Sequence, residues 1–176
     1  MQFMKAVILS REDLKQYFHE GDDVSRTALI EIVDVDNRET LPFPADLRRI
    51  RLAFDDVFEP EMPNAMTTEQ AAEVVLFFNS VKDSIDTLVV SCHAGIARSS
   101  AIAAAVLFSM GEDDWSIWED YKYRPNAYCW GLMLEAFGAD TSQAMDKVSH
   151  NRELISILYR MTGQTVWGGP NDAKKE

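Results

Sequence analysis

The sequence predicts a single α/β domain: a short, mostly parallel central sheet flanked by helices. Three observations carry this. Apolar, strand-like runs alternate with helical patterns as far as Met110, and helical patterns alone follow. The chain has 176 residues, the size of one domain with a substantial core, and 47% of them are hydrophobic. Around Cys92, a β-branched run passes through a tight loop straight into a helix start. No repeat, linker or second domain interrupts the pattern. Residues 1–162 are therefore read as the domain, and residues 163–176, with Gly168-Gly169, Pro170 and Lys174-Lys175, as a disordered tail.

The elements follow in order. Lys5 to Ser10 reads as a first strand, and Ser10 caps a helix over Arg11 to Glu20 that Gly21 ends. Leu14, Tyr17 and Phe18 share one face of that helix. Ala28 to Val35 is a second strand, apolar enough to be buried on both sides. A loop through Pro42 and Pro44 leads to a third strand in the latter half of Leu47 to Phe54. Acid and proline crowd the loop Asp55 to Asn64. Thr67 and Gln70 then form a capping box, and the helix it opens runs to about Asp83 with Ala71, Val74, Val75, Phe78 and Val81 inward. Thr87 to Ser91 is the strand that enters the cysteine loop, and Arg98 to Met110 the helix that leaves it. Helices over Asp114 to Tyr121, Asn126 to Phe137 and Asn151 to Met161 complete the domain.

Composition excludes several classes. A net charge of −12 repels nucleic acid and anionic lipid, so neither is an expected partner. No apolar run approaches the ~20 residues of a membrane span. Ala6 to Leu9 lacks a cleavage site and reads as a strand rather than a signal peptide, so the expected location is the cytoplasm. His19, His93 and His150 are far apart and show no metal-ligand spacing, so no metal or other cofactor is expected. Cys129 reads as a small apolar helix residue, with a resolving thiol for Cys92 as the alternative. Oligomeric state is left open.

The chemistry concentrates at Cys92. The loop His93, Ala94, Gly95, Ile96 and Ala97 would aim backbone N–H groups inward, and the following helix adds the positive end of its dipole. Arg98 adds a planar fork of donors suited to a tetrahedral oxyanion. A thiol in so positive a cup is expected to ionise and act as a nucleophile.

Cys92, five residues, Arg98 and Ser99 resemble the C-x5-R-[ST] signature of the cysteine-dependent protein tyrosine phosphatases. The inner residues Ala94 to Ser100 are most similar to the dual-specificity branch of small bacterial or phage type. The resemblance implies a dual-specificity-phosphatase-like fold and hydrolysis of phosphoric monoesters through a phosphocysteine, with Cys92 as nucleophile, Arg98 and residues 93–97 as the phosphate cradle, and no cofactor. It implies a hydroxyl beside the sulfur, assigned to Ser99. A general acid belongs on the loop after the third strand; Asp56-Val57-Phe58-Glu59-Pro60 matches the family pattern, so Asp56 is preferred and Asp55 is the alternative. Pro125-Asn126 resembles an element that braces the loop, and Asn126 also suits a helix N-cap. Ser100 is read as helix packing or a simple preference for a helix N-terminus.

One departure concerns Ser91. The family usually has histidine immediately before the cysteine, where it shapes the loop and supports the thiol. His93, just after, is expected at the rim. The implied substrate is a phosphorylated protein or a small phosphate ester, and the lack of lysine inside the loop favours these over phosphoinositides. An alternative of another class is a weak or inactive phosphoprotein-binding module on the same fold, which the Ser91 departure keeps open. Sulfurtransferases and arsenate reductases, a third class, lack the combined Gly95, Arg98 and Ser99 offsets.

Overall fold

The computed structural model describes residues 4–142 and 144–163. The expected tail beyond Gly163 lies outside the described residues. Four strands, β1 (Lys5–Ser10), β2 (Thr27–Val33), β3 (Arg48–Ala53) and β4 (Thr87–Cys92), form one sheet in the order β1-β4-β2-β3. Every pair is parallel, so the sheet is wholly rather than mostly so. No helix among the described residues is long and apolar enough to cross a membrane.

The helices are α1 (Arg11–Tyr17), α2 (Thr68–Val81), α3 (Arg98–Ser109), α4 (Trp115–Trp118), α5 (Ala127–Phe137) and α6 (Ala144–Thr162). A period of two divides each strand between the faces of the sheet. Ala28, Ile30, Ile32, Leu88, Val90 and Cys92 join the main core with α2, α3 and α5. Leu29 and Val89 join a smaller core with Leu14 of α1 and Val24 and Leu47 from the loops. α3 is apolar on all sides, and Ala101, Ala103, Ala104 and Ala105 are each 0% exposed. Small side chains let this helix lie close against the sheet, which holds its N-terminus rigidly.

This topology places the site. α1 leaves β1 on one face, and α3 leaves β4, the neighbouring strand, on the other. The carboxyl ends of β1 and β4 therefore flank a crevice, the usual ligand position in an open α/β sheet. Cys92 pairs in register with Ser10 at that edge.

Three helix boundaries differ by three residues or more from the sequence expectation, and one of them is the end of α4, at Trp118 rather than Tyr121. α1 ends at Tyr17 rather than Glu20, because Asp22 turns back to take the His19 N–H on Oδ2 at 2.7 Å and Gly21 sits at φ +90°. α6 begins at Ala144, seven residues before the expected Asn151. Its first turns carry Lys147, which is 5% exposed and paired with Asp114 at 2.6 Å, its ammonium over the rings of Phe108 and Trp115. A buried lysine breaks the apolar pattern that would have announced the helix.

Candidate active site

The loop from Cys92 to Arg98 is held by its carbonyls. His93 O accepts from Arg11 N at 3.1 Å, Ile96 O from Arg124 N at 3.2 Å, and Ala97 O from Asn126 N at 3.0 Å. The Ser100 hydroxyl, read from sequence as packing or a helix N-terminal preference, donates back to the carbonyls of Ile96 and Ala97. With the carbonyls turned outward, the amides of residues 94–98 donate to no acceptor among the described residues. Ala97 caps α3 without any side-chain bond, so the positive end of the helix dipole stays open. Free amides at a helix N-terminus are the kind of donors that suit an anion.

Gly95 makes the shape possible. Its φ is +67°, and a Cβ there would lie 2.5 Å from Ser10 N and 2.7 Å from Leu9 C. The loop thus packs directly on the end of β1, and only glycine fits both the conformation and the space.

Cys92, where β4 meets this loop, is 2% exposed, with its Sγ 3.0 Å from Ser99 Oγ. Arg98 is 4% exposed. Its Nη1 donates to Phe54 O at 2.7 Å and pairs with Asp34 Oδ1 at 2.7 Å, while Nε is buried without a partner among the described residues. Both protein acceptors therefore sit on one corner of the guanidinium. The Nε–Nη2 edge is left for a bidentate oxyanion. His93 is at the rim with its side chain 71% exposed, and its Nδ1 lies 4.0 Å from Asp34 Oδ2. Ala94 is exposed beside it, and Ile96 and Ala97 are half-buried.

The two loop aspartates have separate surroundings. Asp55 accepts from Val35 N at 3.0 Å and from Asn64 Nδ2 at 2.8 Å, and its own N–H donates to Asn64 O at 2.9 Å. These bonds clasp the base of the loop. The Asn64 amide, with the Val35 N–H behind it, holds the Asp55 carboxyl below its usual range. A carboxylate so occupied is a poor proton donor. Asp56 is exposed, and its Oδ1 accepts from Asn126 Nδ2 at 2.8 Å.

Asn126 connects the parts. It is 0% exposed, donates to Asp56 and to Val57 O, and accepts from Cys129 N at 3.0 Å as the N-cap of α5. With its backbone N–H on Ala97 O, it joins the Asp55–Asn64 loop, the cysteine loop and α5, so bracing and capping coexist. Cys129 is 0% exposed, and burial, reinforced by the Asp56 charge, pushes its thiol up to about 12. A neutral, enclosed thiol fits the packing role rather than that of a resolving cysteine.

Ser91 is buried on the opposite face of β4 from Cys92, level with Glu31 on β2. That face carries a buried ion pair, Arg11 Nη1 to Glu31 Oε1 at 2.8 Å, extended by Arg11 Nε to Glu39 at 3.1 Å. Sequence reasoning missed Arg11, Glu31, Asp34 and Asn64. For Asp34 a signal existed, since it stands at the carboxyl end of a strand, where ligand-facing residues gather. A surface cavity of about 870 Å³ between Phe18–Ser25 and Pro42–Asp46 includes no residue of the cysteine loop.

No family model and no curated protein matches the chain. Among solved structures, the chain is similar to human tyrosine phosphatase-like serine/threonine/tyrosine-interacting protein, at 19% identity over 76% of this chain and 79% of that chain, with a TM-score of 0.38. It is also similar to Tk-PTP in the active form, at 16% identity over 85% of this chain and 88% of that chain, with a TM-score of 0.39.

Proposed function

We propose that the chain is a cysteine-dependent phosphatase that hydrolyses phosphoric monoesters through a phosphocysteine. One observation carries the reading: the short loop from Cys92 to Arg98 combines a buried thiol, amides at residues 94–98 with no acceptor among the described residues, and a buried Arg98 Nε without a partner among them. A tetrahedral dianion is the ligand those donors suit, and a nucleophile at its base is what converts binding into chemistry.

In the first step the Cys92 thiolate attacks phosphorus. An S–P bond forms and the ester P–O bond breaks, with the electron pair going to the leaving oxygen. Asp56 supplies the proton that this oxygen takes. Arg98 and the loop amides hold the three equatorial oxygens as charge spreads over them. In the second step Asp56, now ionised, takes a proton from water. The water oxygen bonds to phosphorus, the S–P bond breaks, and the Ser99 hydroxyl donates to the departing thiolate. Inorganic phosphate is the product. Asn126 sets the position of Asp56 in both steps.

The substrate class that fits is a phosphorylated protein or a small phosphate ester. The test is hydrolysis of an aryl phosphate by the purified protein and by Cys92→Ser. Wild-type turnover that vanishes in Cys92→Ser, with phosphate still bound, supports the reading. Phosphate binding without turnover in the wild-type protein replaces it with that of a binding module.

A further inference from the structure

We infer that Asp34 is a positioning residue for the proposed phosphate-binding arginine: it orients Arg98 so that the Nε–Nη2 edge faces the cysteine loop. The inference rests on the reading of Arg98 as the phosphate clamp, and adds a residue to which the sequence pattern assigns no role.

A guanidinium has five donors in a fixed plane, so holding one corner decides where the other edge points. Here the held corner is Nη1, between Asp34 Oδ1 and Phe54 O, each at 2.7 Å. The two acceptors come from the exits of β2 and β3. Those exits are locked together on both sides of Asp34: Phe54 N donates to Val33 O at 3.0 Å, and Val35 N donates to Asp55 Oδ1 at 3.0 Å. The Asp34 carboxylate therefore stands on fixed backbone. Nε, on the other side of the plane, is buried and has no acceptor among the described residues. A buried guanidinium N–H without a partner costs folding free energy, and an arriving oxyanion would repay it.

A second reading of the same contact is competition. A carboxylate on Nη1 could repel an incoming dianion, and its removal would then tighten oxyanion binding. The geometry favours positioning, because the contact leaves the bidentate edge untouched.

The test measures inhibition by orthovanadate, which mimics the transition state, together with kcat and KM on an aryl phosphate. Inorganic phosphate binding is measured in Cys92→Ser protein, so that the result does not depend on turnover. Asp34→Ala should raise the vanadate inhibition constant and lower kcat by about 10–100-fold, the range for losing one charge-assisted hydrogen bond. KM should change by less than kcat. Asp34→Asn, which keeps an oxygen acceptor for Nη1 without the charge, should recover a large part of the loss. In an Arg98→Ala background, Asp34→Ala should change nothing further, because it acts only through that arginine.

Tighter vanadate binding by Asp34→Ala, an Asp34→Asn variant no better than Asp34→Ala, or an undiminished effect without Arg98 would each overturn the inference. Wild-type protein that binds phosphate but does not turn over sinks the catalytic proposal alone, and the phosphate affinities of the Asp34 variants then decide this one. Wild-type protein that binds no oxyanion overturns both.

Discussion

Replacing Asp55 and Asp56 one at a time should separate a clasp from an acid. Asp56→Asn keeps an oxygen for the Asn126 Nδ2 donor at 2.8 Å, so the loop retains its shape and loses only a transferable proton. The loss should therefore follow the leaving group. On phenyl phosphate, whose phenolate needs a proton, kcat/KM should fall by about 10²–10⁴-fold, the range of general acid catalysis. On an aryl phosphate with a stable phenolate the fall should be far smaller. Asp55→Ala removes the acceptor of the Val35 N–H and the partner of Asn64, which opens the base of the loop. Those bonds are partly solvated, so the stability cost should be near the low end of the range for an unsatisfied group, about 1 kcal/mol. Its kinetic effect should be alike on both substrates. Its stability effect should depend on pH. The Asp55 carboxyl is depressed in the folded state, so its contribution is present above the unfolded value near ~4 and lost as pH falls through the lower folded value. Wild type and Asp55→Ala should therefore converge in stability as the pH falls through that lowered folded value. Steady-state kinetics on the two esters and urea titrations across pH supply the data. A leaving-group-dependent loss in Asp55→Ala, with none in Asp56→Asn, would refute the reasoning.

Other outcomes follow from the same geometry. Gly95→Ala forces a left-handed residue against Ser10 N and Leu9, so activity should be lost and the melting temperature lowered; normal kcat/KM would show that the loop can move away freely. Arg11→Met leaves Glu31 buried without its cation, which should cost roughly 3–5 kcal/mol in urea unfolding, and Arg11→Met combined with Glu31→Leu should recover most of it. Arg98→Lys keeps the charge and loses the planar fork, so kcat/KM should collapse while the unfolding midpoint stays close to wild type. A lysine variant of near-normal kcat/KM would remove the bidentate clamp from the mechanism.

Local pattern carries much of this fold. The four strands announce themselves as β-branched or alternating runs, and the Thr67–Gln70 capping box starts α2 where the hydroxyl and amide reach back to each other's backbone. The cysteine cup is legible for the same reason. Its parts lie within nine residues of chain, Cys92 to Ser100, and a strand, a glycine and a helix start determine its shape. What sequence left undecided is set by distant contacts. Asp55 and Asp56 are adjacent and chemically equal. Asn64 claims the first from nine residues away, and Asn126 claims the second from 70 residues away. The strand-end signal at Asp34 was blurred by its neighbours, since Ile32, Val33 and Val35 read as one continuous strand, whereas β2 ends at Val33 and the next side chain pairs with Arg98. Lys147 and the Arg11–Glu31 pair are charges buried by partners on other elements, and no local rule places a lysine or a glutamate in a core. The face behind Ser91, where the resemblance expects a histidine, carries such a pair instead.

The most direct test is capture of the intermediate. Protein mixed with an aryl phosphate is quenched in acid within the first turnover, digested, and read by mass spectrometry. A phosphoryl group on the peptide carrying Cys92, formed at the rate of the first phenol burst and absent in Cys92→Ser, is the predicted result. Sustained phosphate release with Cys92 unmodified, or with Cys92→Ser as active as wild type, would contradict a phosphocysteine mechanism outright.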